Sequence, residues 1–582
     1  MPYAVSKSIV RREVVGRLPK SDRTLHPLLR RIFLQRKING LEDLDHSLAG
    51  LYQPDKLKDI DKAAALLYCA VEQGWRVLIV GDYDTDGATA TAVAILGLRS
   101  LGATSVDYLV PNRFDYGYGL SVEIAKVALI KEPDLVITVD NGISSLAGVK
   151  CLREAGIEVI VTDHHLAGVE LPAASAIVNP NQPGCEFPSK MLAGVGVMFY
   201  LLLALRSLLS AKDWFERNQR KVPNLAQLLD LVALGTVADV VPLDHNNRIL
   251  VAQGIARIHK GACRLGIKAL LAVAGKDYRN VSSTDLGFVL APRLNAAGRL
   301  DDISMGIECL LADEETDARE YADILHEINI ERRRIEQKMQ HQAVEVVDKL
   351  EASKETAGIC LHHADWHQGI TGLVASRVRE RYHQPAIVFA NNSEGKLTGS
   401  ARSVPGLHIR DLLEVIATGQ PGLIEKFGGH AMAAGLTLDR DNLEPFSRLF
   451  HTAVSDHFLG QPAGNFVHSD GPLEPEFFTR EIAELLRNAA PWGQQFSAPV
   501  FDNEFRVISQ KVVGEQHLKL RLATRDRVLE GIAFRQLLPG EEMPRLERIH
   551  AAFQLDLNEF RGAKTLQLII EYMEPVTNTV AR

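Results

Sequence analysis

Residues 77–87 read Val-Leu-Ile-Val-Gly-Asp-Tyr-Asp-Thr-Asp-Gly. A short apolar run stops at a glycine and meets acids at alternate positions, Asp82, Asp84 and Asp86. A brief, fully apolar, β-branched run bounded by a turn predicts a strand buried on both faces. Residues 135–139 and 159–161 repeat the pattern, and helix-like stretches such as 88–98 lie between. That alternation predicts an α/β fold with a parallel sheet covered on both sides. Ligands of such sheets bind beyond the carboxyl ends of the strands.

Each predicted strand runs into polar chemistry at that end. Residue 139 leads to Asp140-Asn141-Gly142, and residue 161 to Thr162-Asp163-His164-His165. A further acid, Asp239, sits in the otherwise apolar stretch 234–243. Carboxylates crowded into one small volume need a positive charge to hold them there. Oxygen donors with one or two imidazoles suit Mn²⁺ or Mg²⁺ better than a thiolate-seeking metal. A carboxylate bridging two such ions holds them ~3.5–4 Å apart for phosphoester hydrolysis. Singly, each motif has a plainer reading: Asp140 as a turn, Asp163-His164-His165 as a polar loop, Asp239 as a cap. An EF-hand calcium loop opening at Asp82 needs Glu at its twelfth position, where Val93 stands.

Composition sets the bounds. The 582 residues carry 65 Lys+Arg against 73 Asp+Glu, a net charge of −8, with 46% apolar residues. That apolar share excludes wholesale disorder. The acidic balance excludes coating nucleic acid through overall charge but permits a local basic groove. Cysteines at 69, 151, 185, 263, 309 and 360 form no C-x-x-C pair, so thiols in a reducing compartment are expected. The first fifteen residues lack the apolar core of a signal peptide. The longest apolar run, 191–205, is expected to be a buried helix, with no membrane span. The expected location is cytoplasmic.

Four motifs now bear on family: Val-Gly-Asp-Tyr-Asp-Thr-Asp-Gly at 80–87, Val-Asp-Asn-Gly-Ile-Ser at 139–144, Thr-Asp-His-His at 162–165, and Gly-Thr-Val-Ala-Asp-Val-Val-Pro-Leu at 235–243. In this order and spacing they resemble the DHH phosphoesterase superfamily. Arg-Leu-Asn-Ala-Ala-Gly-Arg at 293–299, Ser-Ala-Arg-Ser at 400–403 and Phe-Gly-Gly-His at 427–430 extend the likeness to its single-strand-specific 5′ exonucleases, over nearly the whole chain. The resemblance implies metal ligands Asp82, Asp84, Asp86, Asp140, His164 and Asp239, with Asp140 bridging two divalent ions, Mn²⁺ or Mg²⁺. It implies that His165 faces the substrate phosphate and that Asp163 orients a ligand from behind. Arg293, Asn295 and Arg299, with Arg113 as a weaker candidate, would grip the strand from the first lobe. Ser400, Arg402 and His430 would do so from the second. Single-stranded DNA is the implied substrate, its 5′-mononucleotides the products, and recombination and repair the setting. A helicase and a single-strand-binding protein are the implied partners.

The second half of the sequence supplies a clamp. Residues 314–352 predict one long helix, with Ile324, Ile328, Ile335, Met339, Val346 and Leu350 as its seam. Arg332-Arg333-Arg334 on it is either a solvated face or a DNA contact. Beyond a linker at 460–465, His517, Lys519 and Arg521 alternate with three leucines, which predicts a strand with one basic face. Phe496 and Phe560 are candidate stacking residues, or core. The expected organisation is an N-terminal segment (1–55), a DHH catalytic domain (56–312), a connecting helix (313–352), a DHHA1 α/β domain (353–458) and, by the resemblance, a C-terminal OB-fold barrel (465–576). Two rival functions remain: a phosphoesterase of short oligonucleotides or small phosphoesters, and a DNA-binding scaffold with a vestigial site.

Overall fold

The computed structural model describes residues 7–16, 25–111, 119–351, 357–459, 465–514, 516–524, 527–537, 545–560 and 563–576, without the side chains of 348–351, 559, 560 and 563. Strand β1 (Ser8–Arg11) belongs to the N-terminal segment. The predicted parallel sheet follows as β2 (Arg76–Val80), β3 (Ser105–Leu109), β4 (Leu135–Val139), β5 (Glu158–Thr162) and β6 (Ala176–Val178). Its order is β3-β2-β4-β5-β6, every pair parallel. The chain leaves β2 towards β3 and then crosses back to β4, so the strand order switches between β2 and β4. That crevice is where doubly wound sheets take their ligands.

Both faces of the sheet are covered. One packs with Thr85–Leu101, Gly194–Ala211 and Leu229–Ala238 in the largest core; the other packs on Val122–Ile130 and Leu146–Glu154. Gly194–Ala211 is long and apolar enough to cross a membrane, but 61% of it is buried in this core. Asp239 is not at a strand end: it caps the carboxyl end of Leu229–Ala238.

The long helix runs Glu315–Glu351, 37 residues, about 55 Å at ~1.5 Å per residue. Its buried face differs from the expected seam. Ala318, Ala322, Leu325, Asn329, Glu336, Met339, Ala343 and Val347 point inward, whereas Ile324 is exposed and Ile328, Ile335 and Val346 are half-buried. Only Met339 is common to both sets. The Leu350 side chain lies outside the described residues.

The second lobe is a mixed sheet of β7 (Ile359–His362), β8 (Ala386–Asn391), β9 (Leu397–Arg402), β10 (Lys426–Gly429) and β11 (Ala433–Leu438), ordered β10-β11-β9-β8-β7. The linker at 460–464 lies outside the described residues. β12 (Phe466–Ser469) pairs in parallel with β1. Then β13 (Phe501–Val513), β14 (His517–Ala523), β15 (Val528–Ala533), β16 (Arg548–Phe560) and β17 (Ala563–Pro575) close a barrel in the order β13-β14-β15-β17-β16. The first strand pairs with the second and fourth, and the third with the fifth in parallel, the connectivity of an OB-fold barrel.

Leu518, Leu520 and Leu522 fill the barrel as the alternation predicts. The basic face opposite them is partly neutralised, because Lys519 and Arg521 both reach Glu530 on β15, at 2.9 and 3.8 Å. Phe496 is core: it stacks on Trp492 and Phe33, with Arg248 over its ring. The Phe560 side chain lies outside the described residues.

Candidate metal centre

Three adjacent strands deliver the site. β2 ends at Val80, and the next turn carries Asp82 and Asp84. β4 ends at Val139 and passes directly into Asp140, in the left-handed region at φ 61°. β5 ends at Thr162 and gives Asp163, His164 and His165. Asp84 caps the Thr85–Leu101 helix by accepting from the Gly87 amide at 3.0 Å, so the acid that starts the helix also faces the crevice. Asp86 lies in the first turn of that helix. It is fixed by two backbone amides at the start of the next long helix, Gly194 N–H at 2.6 Å and Val195 N–H at 3.0 Å.

Ligand-type atoms of these residues converge in three overlapping groups: Asp82, Asp84 and Asp140; Asp86, His164 and Asp239; and Asp140, His164 and His165, each within 4.8 Å. Asp140 and His164 each belong to two. His164 Nε2 lies 3.2 Å from Asp140 Oδ1 and 3.4 Å from Asp239 Oδ2. It is nevertheless a buried nitrogen with no hydrogen-bond partner among the described residues. Burial, reinforced by the charge on His165, lowers its pKa to about 4. A neutral imidazole aimed at carboxylates without bonding to them is the donor a divalent cation takes.

The carboxylates agree. Burial pushes Asp82, Asp140 and Asp239 well above the usual range, and repulsion from neighbouring acids, chiefly Asp84 and Asp86, adds to it. Burial, then Asp84, takes Asp86 to about 7. Acids so placed hold protons in place of the cation that would relieve them. Oxygen donors in excess over imidazole fit Mn²⁺ or Mg²⁺.

Asp163 has the opposite character. It is buried, yet its carboxylate accepts from the amides of His164, His165 and Ile143 at 2.7, 3.1 and 2.9 Å, and pairs with His165 Nδ1 at 2.7 Å. Burial would raise its pKa, but these bonds hold it below the ordinary value. His165 shows the reciprocal effect: burial would lower its pKa, while Asp163 and the surrounding acids raise it to about 9. A cationic imidazole thus stands at the rim.

The second lobe faces this rim. The His430 ring stacks on His165 at 6.2 Å, inclined by 20°. Gly429 before it has φ 141°, and a Cβ there would meet the Ala433 carbonyl at 2.5 Å, so the hairpin that aims His430 needs glycine. Ser400 and Arg402 lie on one half-exposed face of β9, as their spacing predicts. Thr371 Oγ1, at the start of helix Thr371–Tyr382, meets Ser400 Oγ at 2.8 Å.

The Arg293–Arg299 motif departs from expectation. Arg293 is 5% exposed, its guanidinium spent on the Val289 carbonyl at 2.6 Å and His326 Nδ1 at 3.2 Å. In this structure it acts as an internal tie. Asn295 accepts the Thr85 amide at 2.8 Å and its hydroxyl at 2.9 Å, so it fixes the metal loop from behind. Arg299 reaches the second lobe, at 3.4 Å from the Gly369 carbonyl. Arg113 lies outside the described residues. On the long helix, Arg332 bonds Glu336 and Asn329 at 2.6 and 2.8 Å, and Arg334 approaches Glu331 at 3.6 Å.

Gly194 is absent from the motif reading. A Cβ on it would stand 2.5 Å from the Asp140 Cβ and Oδ1, so glycine is what lets this helix start touch the ligand. Its only sequence signal was a glycine at the head of a long apolar run.

The chain resembles known proteins along its whole length. Family models match residues 76–236 as the DHH family N-terminal domain, 347–456 as the DHHA1 domain and 469–572 as the RecJ OB domain. The chain is 50% identical to the single-stranded-DNA-specific exonuclease RecJ of Escherichia coli over 97% of this chain and 99% of that one. It is 47% identical to the Haemophilus influenzae protein of the same name, over 98% and 100%. A crystal structure of Thermus thermophilus RecJ in complex with Mn²⁺ superposes with a TM-score of 0.78 at 29% identity, covering 98% of this chain and 80% of that one. By its parallel-sheet site, its three matched domains and its end-to-end identity, this chain belongs to the RecJ family of the DHH superfamily.

Proposed function

We propose that the chain is a metal-dependent exodeoxyribonuclease that hydrolyses single-stranded DNA from its 5′ end and releases 5′-mononucleotides. The observation that carries this is the sharing of Asp140 and His164 between ligand groups at a cleft between two lobes. Relatives named as single-stranded-DNA-specific exonucleases support the substrate, and the family likeness supplies the 5′ polarity.

Asp82, Asp84, Asp86, Asp140, His164 and Asp239 would hold the ions, with Asp140 between them. Divalent ions bound there would supply a nucleophilic water near neutral pH and offset charge on the phosphoryl oxygens. The chain's own groups do the rest. Asp163 keeps His165 protonated and turned to the rim, so its ring donates to an anionic phosphate oxygen. His430 meets that position from the second lobe, and Ser400 and Arg402 hold a phosphate on their shared strand face. Asp86 is kept from swinging by the Gly194 and Val195 amides, and the metal loop by Asn295. The barrel supports a polymeric substrate over a small phosphoester.

The test uses Mn²⁺ and oligonucleotides labelled at either end, with a duplex control. Labelled mononucleotide released at once from the 5′ end, a shortening ladder from the 3′ label and an intact duplex are expected. Intact single strands despite Mn²⁺ binding overturn the reading. Six free thiols and bacterial relatives support a cytoplasmic setting. A helicase exposing the strand and a single-strand-binding protein covering it complete the proposed context. Faster loss of a partly duplex substrate when both are added checks that part.

A further inference from the structure

After the short turn Ser283–Asp285, residues Leu286–Leu290 wind as a π-helix before Ala291–Leu300 resumes as α-helix. Such turns are rare and gather at functional sites. This one is fixed at several points. At its start, Ser283 Oγ donates to the Trp492 carbonyl at 2.5 Å and Asp285 meets Arg487 at 3.4 Å, both in the segment leading into the barrel. In its middle, the Gly287 backbone lies against the side chain of Val237, in the last turn of the helix that Asp239 caps. At its end, the Ala291 carbonyl accepts from Thr85 Oγ1 at 3.2 Å, between ligands Asp84 and Asp86. Arg293 closes the turn by bonding the Val289 carbonyl at 2.6 Å.

The turn therefore spans from the barrel side to the metal loops, and it displays one aromatic ring. Leu286 and Leu290 are fully buried, but Phe288 is 76% exposed, and Val240 next to Asp239 is 62% exposed. A phenyl ring left in water forgoes most of the transfer free energy its burial would give. Here the backbone around it is tied at several points while the ring is left bare, on a turn whose contacts reach both the metal loop and the segment leading into the barrel.

We propose that Phe288 is a stacking post for one base of the single strand as it runs from the metal centre to the barrel. The proposal rests on the nuclease reading and adds a positioning and selectivity element to it. Any unpaired base offers a face to a phenyl ring, so the contact tolerates sequence. A base inside a duplex is already covered on both faces by its neighbours. The post thus favours single strands by chemistry as well as by cleft width.

The experiment measures binding of the full chain to a 5′-phosphorylated oligothymidine in EDTA, with one abasic site moved stepwise from the 5′ end. Wild type should lose affinity when the abasic site reaches one internal position. F288A should bind the intact strand about 5- to 150-fold more weakly, the equivalent of ~1–3 kcal/mol for one stacked base, and lose nothing further at that position. F288Y should restore the wild-type profile. Unchanged melting and Mn²⁺ binding in F288A would show that the fold is intact; if that variant is unstable, F288L supplies the non-aromatic comparison. An F288A or F288L profile identical to wild type overturns the stacking post and leaves the nuclease reading standing. Failure of wild type to bind the intact strand overturns both.

Discussion

At the scale of the residue, the centre is defined by groups that suffer without a cation. Asp86, raised to about 7 by burial and by Asp84, is substantially protonated in metal-free protein below that pH. Asp82, Asp140 and Asp239 are displaced in the same direction. Each proton must leave before a ligand can coordinate, so Mn²⁺ affinity should rise steadily from pH 5 to 8 with proton release. Calorimetry in buffers of differing ionisation enthalpy reads this directly; pH-independent affinity without proton release would contradict it. Candidate ligands Asp82, Asp84, Asp140 and His164 were legible in the sequence because they follow apolar strands, whereas Asp86 lies in the first turn of one helix and Asp239 caps another. Gly194 was not legible, since its role depends on a helix that arrives more than fifty residues after Asp140. G194A places a methyl group against that carboxylate. It should reduce Mn²⁺ affinity or turnover about 10- to 100-fold, as loss of a supporting contact to a metal ligand does, and titration with activity assays would show it.

At the scale of the element, the long helix shows what periodicity does and does not reveal. Its existence and limits followed from the sequence to within a residue or so, because nothing in 315–351 breaks a helix. Its buried face did not follow, because isoleucines at a helical repeat compete with a second stripe of alanines and polar groups. The second stripe wins through Glu336. Its carboxylate takes Arg332 at 2.6 Å from its own helix and Arg377 at 3.1 Å from the second lobe, with the Glu336 side chain 10% exposed. A buried acid holding two guanidiniums is costly to remove alone, since Arg332 stays behind without a carboxylate and Arg377 keeps only Glu380, at 2.9 Å. E336A should therefore destabilise the chain by about 3 kcal/mol, the lower end of the range for breaking a buried pair, because Arg377 keeps some access to water. Denaturant unfolding measures it, and a change below ~1 kcal/mol would place this node among ordinary surface pairs. The same limit on pattern reading explains Arg293: the motif is correct, but only the three-dimensional neighbours reveal that its charge is used internally.

At the scale of the whole molecule, the two ends of the chain make one unit. The N-terminal segment read as a separate piece, yet β1 pairs with β12, and Phe33 stacks on Trp492 and Phe496 in the core beside the barrel. No local pattern announces a pairing between residues more than four hundred positions apart. The tie is electrostatic as well as apolar. Arg36 and Arg12 meet the buried Asp470 at 2.5 and 3.2 Å, and Arg11 meets the buried Asp502 at 2.7 Å. Burial alone would raise the Asp502 pKa, but bonds from Arg11, Ser469 and His550 outweigh it and hold the carboxyl below its ordinary value. A carboxylate whose folded pKa lies beneath its unfolded one stabilises the fold above the unfolded value, and that contribution vanishes as pH falls through the folded value. The junction of the N-terminal strand with the barrel should thus hold at neutral pH and weaken below about pH 4, the ordinary aspartate range. Protease cleavage of the N-terminal segment should accelerate across that window ahead of global unfolding. In D502N the segment should be cut faster at pH 7, and the acceleration on acidification should be smaller than in wild type. Equal cleavage of both proteins at neutral pH would mean that the β1–β12 pairing and the Phe33 stack hold the ends together without the carboxylate. In that case the electrostatic part of the tie would rest on Asp470, which Arg36 and Arg12 still meet when Asp502 is neutralised.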